Sequence, residues 1–127
     1  MRAKMKKITT EKAPGAIGPY SQAVASGNFV FTSGQIAIDP STNQMAEDDI
    51  EKQTLQVLEN LKNILLAAGS SLEKAVKVTV YLADINDFAK MNAIYEKYFT
   101  QKPSRSTVQA AKLPKNARIE IDVVAEK

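Results

Sequence analysis

Val76-Lys77-Val78-Thr79-Val80-Tyr81-Leu82 alternates aliphatic residues with Lys, Thr and Tyr, the period-two pattern of a strand that buries one face. Helical periodicity lies on both sides of it. Before it, Ile50, Leu55, Leu58, Leu61, Ile64, Leu65 and Ala68 recur at helical spacing, opened by an Asp48 N-cap with Glu51 three residues on and stopped by Gly69. After it, Asp84 or Asn86 caps a second helix that carries Phe88, Met91, Tyr95, Tyr98 and Phe99 on one side and ends before Pro103. Further out, Ser21 to Ala25 and Phe29 to Ser33 read as a hairpin around Ser26-Gly27-Asn28, fed by the loop Ala13-Pro14-Gly15-Ala16-Ile17-Gly18-Pro19. Ile36 to Ile38 continues the sheet until Asp39-Pro40-Ser41 breaks it. Arg105 to Ala110 and Arg118 to Val124 close the chain as strands joined across Leu113-Pro114-Lys115-Asn116.

Strands, helix, strand, helix, strands is the order of an α+β fold: a mixed sheet with two helices packed on one face. The other face then needs a cover. Phe29-Val30-Phe31 and Val123-Val124-Ala125 run without polar alternation, as strands apolar on both sides do, and there is no third helix to cover them. A homo-oligomer follows as the expectation, with pockets at subunit boundaries.

Composition narrows the chemistry. The chain has 127 residues and is 44% hydrophobic, enough for one compact domain spanning 1–127. It contains no Cys and no His, which removes cysteine nucleophiles, disulfides, thiolate or histidine metal sites and the Ser-His-Asp triad. No calcium loop, P-loop or dinucleotide fingerprint appears, so no metal and no cofactor is expected. The net charge is +3, and much of the excess sits in Arg2-Ala3-Lys4-Met5-Lys6-Lys7, read here as a solvated end and not as a nucleic-acid arm. No apolar run has the length of a membrane span and no signal peptide is visible, so the expectation is a soluble, cytoplasmic protein.

The best chemical set is on two neighbouring β-like segments, Pro103-Ser104-Arg105-Ser106-Thr107-Val108 and Ile119-Glu120-Ile121. Arg105 offers a planar fork of donors that suits a carboxylate. Glu120, held on an apolar strand, can orient or deprotonate a water. Each also has a plainer role: Arg105 as a surface strand residue, Glu120 on a solvent face, Tyr20 and Gln22 sealing a loop, Ser33-Gly34 ending a strand, Asn92 satisfying nearby backbone, and Tyr95, Tyr98 and Phe99 as helix-face core.

Four motifs in order, Ile17-Gly18-Pro19-Tyr20-Ser21-Gln22-Ala23, Phe31-Thr32-Ser33-Gly34-Gln35, Asp87-Phe88-Ala89-Lys90-Met91-Asn92 and the Arg105 and Glu120 segment, make the chain resemble the RidA/YjgF family of reactive intermediate deaminases. The resemblance implies a chorismate-mutase-like fold and a homotrimer with sites in the clefts between subunits. It also implies cofactor-free hydrolysis of 2-imino acids, such as 2-iminobutanoate and 2-iminopropanoate, to 2-oxo acids and ammonia. Carried over by position, Arg105 grips the substrate carboxylate and Glu120 lies near the hydrolytic water. Tyr20, Ser33 and Gly34 line the pocket, and Asn92 joins it from the second helix. Thr107 stands where many bacterial relatives carry a cysteine, so a thiol-dependent role is absent at that substrate-binding position. Two other classes stay open: an endoribonuclease or translation inhibitor acting on single-stranded RNA, and a non-catalytic small-carboxylate binder or chaperone-like protein.

Overall fold

The two helices form where the periodicity places them, and their ends follow local chemistry. A computed structural model describes residues 4–127; Arg2 and Ala3 of the basic run lie outside the described residues. Helix α1 (Ile50–Ala67) starts at Asp49, whose Oδ2 accepts from the Lys52 backbone N–H at 2.8 Å. Asp48, the expected cap, instead accepts from Arg118 Nε at 2.7 Å. Gly69 stops the helix as expected, in the left-handed region at φ 78°. Val57, Leu58, Leu61, Ile64 and Leu65 are fully buried, but Leu55 is 43% exposed, because the buried stripe runs through Thr54 and Val57 on the other side. Helix α2 (Phe88–Tyr98) follows a short turn capped by Asp84, which accepts from the Asn86 N–H at 2.9 Å, and buries Met91 and Tyr95.

The strands are β1 (Lys6–Ile8), β2 (Ala23–Ser26), β3 (Phe29–Thr32), β4 (Ile38–Asp39), β5 (Gln44–Met45), β6 (Ala75–Leu82), β7 (Ser104–Gln109) and β8 (Ile119–Glu126). Six of them form one mixed sheet in the order β1-β2-β3-β8-β6-β7. Only β6 and β7 run parallel, joined by the α2 crossover; the other pairs are antiparallel. β1 is unexpected, since within it only Ile8 is buried and the lysines mask it as a solvated end. Ile36 to Ile38 does not extend the main sheet: Gln35 makes a single bridge to Ile121, and Ile38 begins the separate β4–β5 ribbon.

In β6 the expected alternation holds for Val78, Val80 and Leu82, all fully buried. It fails at Val76, 36% exposed, because a register shift between Ala75 and Lys77 turns that residue outward. Both helices cover the face formed by Val78, Val80, Ile121 and Val123. The opposite face carries Lys77, Thr79, Tyr81, Glu120 and Asp122, with Phe29 and Phe31 exposed at 40% and 42%. Among the described residues no helix is long and apolar enough to cross a membrane.

Candidate functional site

Strand order separates the two residues with the strongest chemical claim. β7 and β8 are not neighbours, because β6 lies between them. In register, Val78 pairs with Arg105 and Val80 with Thr107, while Val80 also pairs with Ile121 and Tyr81 with Glu120. Paired residues share a face. Arg105 and Thr107 therefore stand on the helix-covered face, and Glu120 stands on the open one. Within one chain they form two half-sites.

The first half-site is built on α2 and the edge strand β7. Arg105 is half-buried, and its Nη1 donates to Asn92 Oδ1 at 2.7 Å. Its Cζ lies 4.6 Å from the Tyr95 ring centroid and 5.4 Å from that of Phe88. Phe88, Asn92 and Tyr95 recur at i, i+4 and i+7, so one helix face presents all three. Among the described residues Arg105 has no carboxylate partner. Thr107 Oγ1 is buried nearby on the same strand face with no hydrogen-bond partner. A guanidinium fixed by neutral groups and without a counter-charge among the described residues has the donors to accept an anion of matching planarity.

The second half-site is a cavity of about 140 Å³ on the open face, lined by Tyr20, Gln22, Gly34, Gln35, Pro114 and Glu120 among others. Gln22 shapes its wall. Its Nε2 donates to the carbonyls of Thr10 (3.0 Å), Ala13 (3.2 Å) and Pro14 (2.7 Å), and its Oε1 accepts from the Thr10 N–H at 2.7 Å. Gln22 thus ties down the loop that carries Ile17 and Tyr20. Tyr20 is 51% exposed, and its hydroxyl accepts from the Ile17 N–H at 3.4 Å. Ser33 is committed elsewhere, its Oγ donating to the Ser21 carbonyl at 2.5 Å.

Burial first, and the Asp122 carboxylate two residues along second, push the Glu120 carboxyl above its ordinary 4.5. Burial likewise raises Asp122, against the Tyr81 hydroxyl and the Lys77 ammonium, which lower it. A carboxyl raised above its ordinary range takes up a proton more readily than a free one, as a group that exchanges protons must. Among the described residues no three acidic side chains gather as metal ligands.

Two variants test this cavity. A Cβ on Gly34 would overlap the Glu120 carboxylate, with Cδ only 2.9 Å away. Gly34→Ala therefore turns a flexible side chain aside, costing about 1 kcal/mol of stability for an off-rotamer χ. If Glu120 handles a proton in a reaction, turnover in this variant should fall by roughly tenfold or more, since displacement of about 1 Å at a reacting group can cost a hundredfold. Steady-state kinetics beside thermal unfolding check it; equal losses in both would refute the close-approach account. Gln22→Leu keeps volume but strands four backbone partners, and the expected loss is about 2–4 kcal/mol in urea unfolding. Amide exchange in residues 10–20 should accelerate in the same variant.

The structure therefore brings together Tyr20, Gly34 and Glu120 on one side, and Asn92, Arg105 and Thr107 on the other, and uses the Ser33 hydroxyl as a loop tie. The sequence reading missed Phe88 and Tyr95 as partners of Arg105, and Asp122 as the neighbour of Glu120. The signals were present as helical spacing from Asn92 and as a two-residue step on a strand.

Comparison with known proteins adds a family. Residues 10–127 match the family model described as Endoribonuclease L-PSP. The chain belongs to the RidA/YjgF family. It is 57% identical over 121 residues to a RutC family protein of Pyrococcus horikoshii, covering 94% of this chain and 96% of that one. It is 51% identical over 124 residues to the 2-iminobutanoate/2-iminopropanoate deaminase of Salmonella typhimurium, covering 94% and 96%. The crystal structure of E. coli TdcF with bound serine shares the fold at a TM-score of 0.91 and 45% identity, over 96% of this chain and 98% of that one. As in these RidA/YjgF relatives, two helices pack on a mixed sheet.

Proposed function

We propose that this RidA/YjgF protein is a single-domain hydrolytic deaminase that converts reactive 2-imino acids, among them 2-iminobutanoate and 2-iminopropanoate, to 2-oxo acids and ammonia. One observation carries the reading: among the described residues, a guanidinium without a carboxylate and a carboxyl without a cation stand on opposite faces of one sheet. Such half-sites complete each other across a boundary between copies. The exposed Phe29 and Phe31 face gives those copies a reason to associate. The assembly in this proposal is a homotrimer of chorismate-mutase-like subunits.

The chemistry asks little of the protein. Arg105 holds the carboxylate bidentately, beside Asn92 and Thr107. Glu120, on the neighbouring copy with Tyr20, Ser33 and Gly34, accepts a proton from water as the oxygen bonds to C2 of the protonated imine. Glu120 returns that proton to the nitrogen of the tetrahedral adduct, the C–N bond breaks and ammonia leaves, and the adduct's hydroxyl gives its proton back to the Glu120 carboxylate as the carbonyl forms, a proton that ammonia then carries away. The imine is already electrophilic, so an oriented water and a modest base suffice. The bound serine of TdcF and the name of the Salmonella relative agree with an amino-acid-like ligand.

A coupled assay tests the proposal. A serine or threonine dehydratase generates the imine in situ, and added protein should accelerate its loss over background, with EDTA leaving the rate unchanged. No acceleration by a light-scattering trimer would end the reading. The family description favours a second reading, cleavage of single-stranded RNA. That reading requires RNA binding that weakens steeply with salt.

A further inference from the structure

Tyr95 is the most deeply held aromatic residue touching the first half-site. It is 6% exposed and packs against Phe99 with ring centroids 4.6 Å apart at 37°. The Arg105 Cζ also lies over this ring, 4.6 Å from its centroid. Its hydroxyl is buried and, among the described residues, makes no hydrogen bond of full geometry, the nearest polar group acting on it being the Arg105 guanidinium. Core packing alone does not account for that group: phenylalanine would fill the same space without a stranded polar atom, and buried polar groups are ordinarily paired. The cost belongs with something the hydroxyl touches. The Arg105 guanidinium beside it pulls the phenol down against the stronger upward push of burial, so charge and hydroxyl feel each other.

We propose that Tyr95 is the positioning residue of the carboxylate grip: its ring sets the plane of the Arg105 guanidinium, and its buried hydroxyl, kept at a cost to stability, stops the guanidinium from turning inward. The inference rests on Arg105 as the carboxylate receptor, the reading given above. A guanidinium whose carbon sits over an aromatic ring, here at 4.6 Å, is held by that ring while N–H donors at its edge stay free for a ligand. Asn92 occupies one of them, and the held ring directs the remaining edge toward the cleft.

The test separates positioning from packing by sign. Tyr95→Phe removes the stranded hydroxyl, so it should unfold at a higher temperature than wild type. It should nevertheless bind 2-oxobutanoate about threefold more weakly by calorimetry, with KM for the imine raised by the same factor and kcat unchanged. Tyr95→Met keeps bulk but removes the ring, and binding should weaken about tenfold. Stability and affinity moving together in Tyr95→Phe, or unaltered affinity in that variant, would overturn the proposal.

If Tyr95→Met does not fold, the wild type still decides. The Arg105 Nε–H resonance, assigned by its loss in Arg105→Lys, should be displaced by ring current and should move in Tyr95→Phe. An undisplaced resonance overturns the stack. A wild type that binds 2-oxobutanoate without hydrolysing imines removes the deaminase reading but leaves the ranking of the three proteins as support. A wild type that binds no 2-oxo acid overturns both.

Discussion

Arg105→Ala should lose affinity for 2-oxo acids by about tenfold to a hundredfold or slightly more, and lose turnover at least as far. The magnitude follows from one charge-assisted hydrogen bond at about 1.5–3 kcal/mol, with each 1.4 kcal/mol worth about tenfold. A bidentate contact puts the result at the upper end. The effect should be specific, because Arg105 sits on an edge strand and carries no ion pair among the described residues whose loss would unsettle the fold. Arg105→Lys is the control: it keeps the charge but not the planar fork or its contact with the Tyr95 ring, so most of the loss should remain. Calorimetry with 2-oxobutanoate and the coupled assay provide the measurements, after light scattering has shown an intact oligomer. Normal turnover by Arg105→Ala would remove the first half-site from the mechanism.

How far the sequence revealed this site depends on local pattern. The face of Glu120 was readable, because Ile119 and Ile121 beside it are fully buried and alternation sends it to the opposite side. The face of Arg105 was not, since Ser104-Arg105-Ser106-Thr107-Val108-Gln109 lacks apolar alternation and the strand lies at a sheet edge. That the two residues occupy opposite faces follows from the registers of β7 and β8 against β6, long-range pairings that no local spacing encodes. Gly69 was legible as a stop because only its backbone freedom was at issue. Val76 was not, because the bulge that turns it out depends on the β8 partner strand. Tyr95 was readable as core, which it is. Its second role required knowing that α2 crosses over to lie beside the Arg105 strand. The family motifs pointed to Tyr20, Gly34 and Glu120 and to Asn92, Arg105 and Thr107 without giving the separation of the two faces they occupy.

Glu120→Gln should give the opposite kinetic signature to Arg105→Ala: 2-oxobutanoate binding persists within about twofold while turnover falls by about a hundredfold or more, the range general acid–base catalysis supplies. The amide keeps the shape beside Gly34 but cannot take a proton from water, so the loss is confined to the transition state. The pH profile follows from the raised carboxyl. Wild-type turnover should fall as pH drops through the elevated Glu120 midpoint, and this acid limb should disappear in the variant. Stability supplies an independent check through linkage. Because the folded-state carboxyl is raised above 4.5, the folded chain holds its proton more tightly than the unfolded chain. That stabilisation is complete below the unfolded value and is lost as pH rises through the folded one, leaving ionised Glu120 as a burden at neutral pH. Glu120→Gln should therefore raise the unfolding temperature at neutral pH and leave it unchanged in acid. Asp122 sharpens the test, since its charge is the second cause of the Glu120 shift. Asp122→Asn should move the acid limb to lower pH with the maximal rate retained. A Glu120→Gln protein that turns over normally, or an acid limb that survives in it, would show that another group handles the proton and that the open-face cavity only binds.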